Sequence, residues 1–196
     1  MIRTRQLVFA LLIGTVAASA QIINLGVLDS FQVGYAANLN NGDSAVNVTN
    51  NGASSLGGAT GSLCVNVYTF DPMEEMLSCC ACPLTPNALA SMSVKNSLLS
   101  NTANGENPSS AVIKLVATSG VACDPTNVTA PQLAPGLRAW GTTLHPTPKG
   151  AGLTENPFAV SSLSASELAR LNASCTAVTI NGSGRGICKG CANGAQ

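Results

Sequence analysis

The sequence predicts an all-β fold, mainly an antiparallel β-sandwich, with one C-terminal α-helix and a set of disulfides. Short apolar runs alternate with Asn-, Gly- and Pro-rich turn signals over residues 21–160, which is typical of a sandwich. A helix-capping signal and apolar residues at helical spacing follow in residues 161–196. All eight cysteines lie beyond residue 20. We therefore expect a disulfide-stapled sandwich domain over 21–160, with a helix and a cysteine-containing tail over 161–196 packed on it.

Residues 1–20 have the features of a secretory signal peptide. Arg3 and Arg5 precede an apolar run that ends at Ala17, and Ala18-Ser19-Ala20 supplies the small residues of a cleavage site. The run is short for a bilayer crossing, which takes roughly 20 apolar residues. We expect a mature chain that starts at Gln21 and is secreted, extracellular, periplasmic or at the cell surface, where disulfides persist.

The first half of the mature chain predicts strands joined by tight turns. Residues 22–39 predict two short strands around a turn at Asp29-Ser30, and residues 45–49 predict another. Leu63–Phe70 has large apolar side chains in both alternating sets, which indicates a central strand covered on both faces. Residues 74–82 are expected to pair back with it as a hairpin and to end at Pro83.

The second half predicts three further strands. Residues 88–99 alternate so that Ala90, Met92 and Val94 share an apolar face, as in a half-buried strand. Residues 111–118 are rich in β-branched side chains. Residues 137–144 contain the single Trp, and the sequence His-Pro-Thr-Pro over 145–148 predicts that this strand ends there.

The helix is predicted from about Ala165 to Ile180. Ser164 and Glu167 have the spacing of a capping box, in which the Ser side chain accepts from the amide three residues on. Apolar residues then recur at helical spacing, and Gly182 is a plausible stop. The residues of this apolar stripe are Leu168, Leu171, Cys175 and Val178.

The cysteines predict four disulfides, although eight cysteines allow 105 pairings. On a strand, Cys79 points to one face and Cys80 and Cys82 to the other. We expect Cys64 to pair across the hairpin with one of these three, and the buried Cys175 to pair with Cys188 or Cys191. The full set is Cys64, Cys79, Cys80, Cys82, Cys123, Cys175, Cys188 and Cys191.

Two alternatives for the cysteines stay open. Cys-Cys-x-Cys at 79–82 together with Cys188-x-x-Cys191 resembles the spacing of thiolate metal ligands, although export argues against reduced thiolates. Cys188-x-x-Cys191 also has the spacing of a thiol–disulfide exchange motif, but such motifs normally open a helix, whereas this pair follows one.

Composition limits the partners. Charged residues form 9% of the chain, against roughly 25% in typical soluble proteins. Loss of Arg3 and Arg5 leaves seven basic residues against nine acidic ones, so no basic patch is available for nucleic acid. A weakly charged surface repels its copies poorly, which favours association. No second long apolar run follows residue 20, so no transmembrane segment is expected after signal removal.

Candidate sites are few. Asp71, Glu74 and Glu75 form the densest acidic group, a weak candidate for Ca²⁺ or for an acid/base pair, with a solvated turn as the simpler interpretation. The single His145 is interpreted as a turn residue, since no nucleophile motif accompanies it. No cofactor fingerprint and no catalytic constellation are found. Acceptor sequences for N-glycosylation occur at Asn47, Asn127, Asn172 and Asn181.

The preferred hypothesis is a secreted, non-catalytic structural or surface protein that assembles or adheres. Residues 22–39 would add as a strand to another copy or to another surface protein. The alternative is a monomeric secreted binding module for a carbohydrate, a protein or Ca²⁺, with its site on loops 50–61, 101–110 and 124–136. An enzyme is the third possibility.

Overall fold

The computed structural model describes residues 29–53, 61–180 and 183–189. The predicted signal peptide, the strand predicted before Asp29, Asn181 and Cys191 lie outside the described residues. The described elements are β1 (Phe31–Ala36), β2 (Ala45–Asn50), β3 (Leu63–Phe70), β4 (Met76–Leu84), β5 (Leu89–Ser93), β6 (Ala111–Ser119), β7 (Leu137–Thr147), β8 (Gly150–Pro157), β9 (Ala159–Val160) and α1 (Ala165–Ile180).

The strands form two antiparallel sheets. The five-stranded sheet has the order β4-β3-β6-β1-β9, and the four-stranded sheet has the order β5-β2-β7-β8. The predicted fold class, an antiparallel β-sandwich with one C-terminal helix and disulfides, is confirmed. No helix among the described residues has the length and apolar character needed to cross a membrane.

The five-stranded sheet buries both of its faces. Its inner face packs on the four-stranded sheet and forms the larger core, with Val65, Leu115 and Met92 among its members. Its outer face packs on α1 and on the segment between β6 and β7, through Tyr68, Leu133 and Leu171 among others. All eight residues of β3 are buried, which confirms the prediction of a central strand covered on both sides.

The helix has the bounds that the sequence predicts. The Ser164 Oγ accepts a hydrogen bond from the Glu167 amide at 3.1 Å, as the capping signal indicates. Leu168, Leu171 and Cys175 are buried against the outer face of the five-stranded sheet, and Val178 packs on the same core. The apolar stripe therefore gives both the extent of α1 and the face that it buries.

Three disulfides fasten covering segments to β3 and β4. Cys64 bonds Cys123, Cys79 bonds Cys175, and Cys80 bonds Cys188. Cys79 and Cys80 therefore point to opposite faces of β4, as predicted. Cys82 is also disulfide-bonded.

Two of the predicted pairings are wrong. Cys64 does not bond a hairpin neighbour. It lies opposite Pro83, so Cys80 and Cys82 point to the other face of the sheet, and Cys79 lies opposite Tyr68, four residues further along β3. At about 3.3 Å per residue, that separation is too long for a disulfide. Cys175 bonds Cys79 rather than Cys188, because the buried stripe of α1 faces β4 directly. The tail passes beyond the helix and reaches the inner face through Cys188.

Two predicted strand ends are wrong because each proline lies where its missing N–H costs no ladder bond. The Cys79 amide points away from β3, because it donates to the C-terminal tail. Backbone groups on a strand alternate in direction, so the nitrogen of Pro83, four residues further along edge strand β4, also points away from β3. Pro146 lies in β7 beyond Thr142, where the pairing with β2 ends. Both strands therefore continue past their prolines.

The strand predicted over 88–99 is shorter than expected. β5 ends at Ser93, whose Oγ accepts from the Asn96 amide at 2.8 Å, and a π-helical turn follows over Val94–Leu98. The apolar side chains keep their predicted side, since Ala90, Met92 and Val94 are all buried. The Asp43 carboxylate holds this turn by accepting from the Lys95 amide at 2.9 Å.

The C-terminal tail covers the centre of the β4 edge. The Cys79 amide donates to the Gly186 carbonyl at 2.9 Å, and the Cys188 amide donates to the Cys79 carbonyl at 3.2 Å. Gly186 has a φ of 79°, and a Cβ there would lie 2.8 Å from the Val178 Cβ of α1, so only glycine fits. The tail thus adds to β4 as a short parallel segment, and this part of the β4 edge is not open to another strand.

We predict that a peptide map of the unreduced protein links Cys82 to Cys191, in addition to the three pairs above. Those pairs use six of the eight cysteines, and Cys82 lies two residues from Cys80, on the same face of β4. Cys191 follows Cys188 by only three residues in the sequence, so we expect it to reach the same face of β4. Mass spectrometry of non-reduced peptides, with a reduced digest as control, makes the test; a free thiol at Cys82 would contradict it.

Candidate functional site

The sandwich is open along one side, between β1 and the β7–β8 hairpin. A cleft of about 420 Å³ lies there, within the size range of small-molecule sites. Most of its lining is apolar or backbone, and its side-chain polar groups come from Tyr35, Thr143 and Asn156. The lining residues are Val33, Gly34, Tyr35, Ala37, Gly141, Thr143, Asn156, Pro157, Phe158 and Ala159.

Phe158 forms the floor of this cleft. It follows β8 directly, its side chain is buried in the core between the sheets, and the chain then crosses to β9 in the other sheet. A Cβ at Gly34 would lie 2.6 Å from the Phe158 ring, so β1 approaches the ring only because residue 34 is glycine. The Phe158 amide donates to the Ala139 carbonyl at 3.0 Å and fixes the crossing.

The side chains that line the cleft define what it can contact. Its lining contains no carboxylate, imidazole or thiol. Tyr35 stands at the rim with 73% of its surface exposed and presents an aromatic face to solvent. An apolar surface with a few hydrogen-bonding groups and one exposed ring can hold a ligand.

β8 is the outer strand of the four-stranded sheet. It pairs with β7 on one side, and all of its residues except Gly152 are exposed. This strand was not predicted, because Gly150–Pro157 has two glycines, a terminal proline and a single β-branched residue. The alternation of its hairpin partner beyond residue 144 was hidden by the His-Pro-Thr-Pro sequence.

The register of the β7–β8 hairpin fixes which backbone groups face outward. The Phe158–Ala139 pair is hydrogen-bonded, and such pairs alternate with non-bonded ones along an antiparallel ladder. In the observed register, the non-bonded pairs include Leu144 with Leu153 and Thr142 with Glu155. The N–H and C=O groups of Ala151, Leu153 and Glu155 therefore point away from β7.

The structure places the predicted acidic residues in the turn between β3 and β4. Asp71 Oδ1 accepts from the amides of Met73 and Glu75, at 2.9 and 2.8 Å. Glu75 Oε2 accepts from Asn104 at 3.3 Å. These contacts stabilise the turn, and within the described residues no group of three or more His, Cys, Asp or Glu is arranged to hold a metal ion. Calcium binding at this turn stays a prediction.

A charged cluster that was not predicted from the sequence lies beside this turn. Lys114 of β6 pairs with Glu167 of α1 at 2.6 Å, and Arg170 pairs with the same carboxylate at 3.0 Å. Both cations lie near the Phe70 ring, at 5.1 and 5.2 Å from its centroid. The sequence does not indicate this cluster, because Glu167 is explained as a helix-capping residue and Lys114 as a polar position of a strand.

The cluster shifts the acid strength of its members. Burial alone would raise the pKa of Glu167, but the hydrogen bonds from Arg170 and Lys114 outweigh it and hold that pKa below its ordinary value. The bond with Glu167 in turn raises the pKa of Arg170. With both cations already paired, the cluster serves to dock α1 on the sheet.

The remaining candidates separate widely. His145 lies half-buried near the end of β7, where its Nδ1 is 3.5 Å from Thr154 Oγ1, the one hydrogen-bond contact of this ring within the described ranges. Of the glycosylation sequences, Asn127 is exposed in the loop after β6, and Asn47 lies half-buried in β2. The Asn172 side chain is hydrogen-bonded to the Val128 backbone: its Oδ1 accepts from the Val128 amide, and its Nδ2 donates to the Val128 carbonyl.

We predict that Glu167→Gln lowers the free energy of unfolding by about 1 kcal/mol near pH 7, the scale of a partly exposed ion pair. The folded pKa lies below the unfolded value of roughly 4.3, so the stabilisation is present above that value and is lost as the pH falls through the folded pKa. Urea unfolding at neutral and acidic pH measures it, with exposed Glu106→Gln as control. An equal deficit at both pH values would contradict the pairing.

Comparison with known proteins gave no match. No family model, no curated protein and no solved structure matches it. The cleft, the β8 edge and the charged cluster are therefore the observations on which a function for this chain has to be based.

Proposed function

We propose that this chain is a secreted, non-catalytic structural or surface protein that assembles or adheres. The observation that carries the proposal is the exposed edge of β8 beside an apolar cleft. An edge strand with unpaired backbone groups is a template for pairing with another chain. The weak charge of the chain gives little repulsion against association.

Export is part of the proposal. The disulfides support it, because such bonds persist in oxidising compartments and are rare in cytosolic proteins. The signal-like sequence over residues 1–20 supports it independently. A non-catalytic role is supported by a cleft whose lining holds no carboxylate, imidazole or thiol.

The N-terminal segment enters the proposal in a narrower form. Phe31–Ala36 pairs with β6 along its whole length, so these residues complete the sheet of their own chain. A strand donated to a neighbour is therefore limited to residues before Asp29, which lie outside the described range. Residues 21–28 remain apolar and strand-prone in sequence, with Ile22, Ile23, Leu25, Val27 and Leu28.

We expect the mature chain, residues 21–196, to associate reversibly as its concentration rises. Static light scattering gives the mean mass, and the protein lacking residues 21–28 is the matched comparison. If the shortened chain associates less, part of the association is due to N-terminal strand addition. If the two chains associate equally, the association is due to the strand edges of the folded domain. A monomer at every concentration, with no retention on a cell surface, would end the proposal.

A binding module is the second candidate, favoured by the cleft. An exposed Tyr35 ring next to Thr143 and Asn156 provides a stacking face and hydrogen-bonding groups, a combination suited to a carbohydrate or a small amphipathic ligand. The site then lies on strands β1, β7 and β8 rather than on the loops that the sequence predicted.

We expect a ligand of the cleft to raise the melting temperature of the native chain and Tyr35→Ala to abolish the shift. Thermal melting with a panel of oligosaccharides measures this. Tyr35→Phe is the matched control, since it keeps the ring and should keep most of the effect. A shift that survives Tyr35→Ala would move binding away from the cleft.

A further inference from the structure

We propose that β8 pairs with β8 of a second copy across a two-fold axis, in an antiparallel register centred on Leu153. The inference rests on the proposed assembling function and names its partner and its contact. β8 is the longest edge that the described strands leave open: β4 is partly covered by the tail, β9 has two residues, and β5 has five and runs directly into a π-helical turn.

The outward backbone groups of β8 fit this register. In a two-fold pair centred on Leu153, that residue faces itself, and Ala151 of each copy faces Glu155 of the other. These are the three residues whose N–H and C=O groups point away from β7. Every outward amide among them then meets a carbonyl of the other copy. Pro157, which has no N–H, stands at the end of the edge and closes the run.

The side chains favour the same arrangement. Leu153 is 67% exposed, and the pair brings two such side chains together at its centre. Lys149 lies at one end of the edge and Glu155 at the other, so antiparallel pairing places Glu155 of one copy diagonal to Lys149 of the second. A parallel pairing would instead bring the two glutamates together. Charge complementarity therefore selects the antiparallel register.

A closed two-fold contact also explains how one edge yields a defined assembly. The same surface serves both copies, so pairing satisfies the edge and stops at two chains. A contact built on one strand edge is small, which predicts a weak, concentration-dependent dimer rather than a permanent one.

The test is sedimentation equilibrium of the full mature chain with two substitutions at one position. Leu153→Pro removes an outward N–H but leaves the ladder with β7 intact, so we expect at least a tenfold loss of dimer affinity. Leu153→Thr keeps the outward amide and should retain the dimer. Circular dichroism confirms that both variants fold. Equal association of Leu153→Pro and wild type would overturn the inference while leaving the assembling function in place, and a monomeric wild type would overturn both the inference and self-assembly, leaving only adhesion to another surface.

A cross-linking arm tests the register without relying on proline. Opposed hydrogen-bonded residues have Cα atoms about 5.5 Å apart, which suits a disulfide. Leu153→Cys should therefore give a disulfide-linked dimer on a non-reducing gel under mild oxidation. Ala151→Cys on the same edge should not, because its two copies lie four residues apart along the paired strands. The opposite pattern would exclude the proposed register.

Discussion

The fold depends on one constraint, which is that the five-stranded sheet must be covered on both faces. All eight residues of β3 are buried, and apolar side chains alternate to both sides of it. The four-stranded sheet covers one face, and α1 with the segment after β6 covers the other. Each disulfide between described cysteines joins β3 or β4 to a segment outside the sheet: Cys64 to the loop after β6, Cys79 to α1, and Cys80 to the tail. With separations of 59 to 108 residues, each removes roughly 4 kcal/mol of chain entropy from the unfolded state.

The four-stranded sheet is treated differently, and this asymmetry places the candidate site. Its inner face joins the core through Val46, Met92 and Leu137, while β8 and the end of β7 extend past the pairing with β2. Phe158 then carries the chain from this sheet into the other. The cleft is the gap that this crossing leaves between β1 and β8. The molecule therefore has two parts. The body consists of the two packed sheets with α1 and the disulfide-bonded segments, and the margin consists of β8 and the cleft beside it.

Most of the body could be predicted from the sequence, and the margin could not. Alternation in Leu63–Phe70 and the stripe through Leu171 and Cys175 report burial, so they gave the central strand and the helix with its buried face. Disulfide partners could not be derived, because they depend on which loop passes each cysteine in three dimensions. β8 is exposed, so burial imposes no alternating pattern on its sequence. β7, the strand with which it pairs, contains Pro146, which obscures the strand pattern there. The charged cluster on Phe70 needed the docking of α1 before Lys114 and Glu167 met.

The prolines connect the errors of prediction with the proposed contact. Pro83, Pro146 and Pro157 all lie within strands, and each is placed where its missing N–H spares the ladder. In sequence each is typical of a strand end, whereas in the fold each marks a backbone direction that faces no partner strand. Edge strands of soluble proteins usually block pairing by such prolines or by charges along the edge. On β8 the proline stands only at the last position, and Glu155 is the single charge within the strand. Ala151, Leu153 and Glu155 therefore keep their outward N–H groups, and this part of β8 can form backbone hydrogen bonds with another strand.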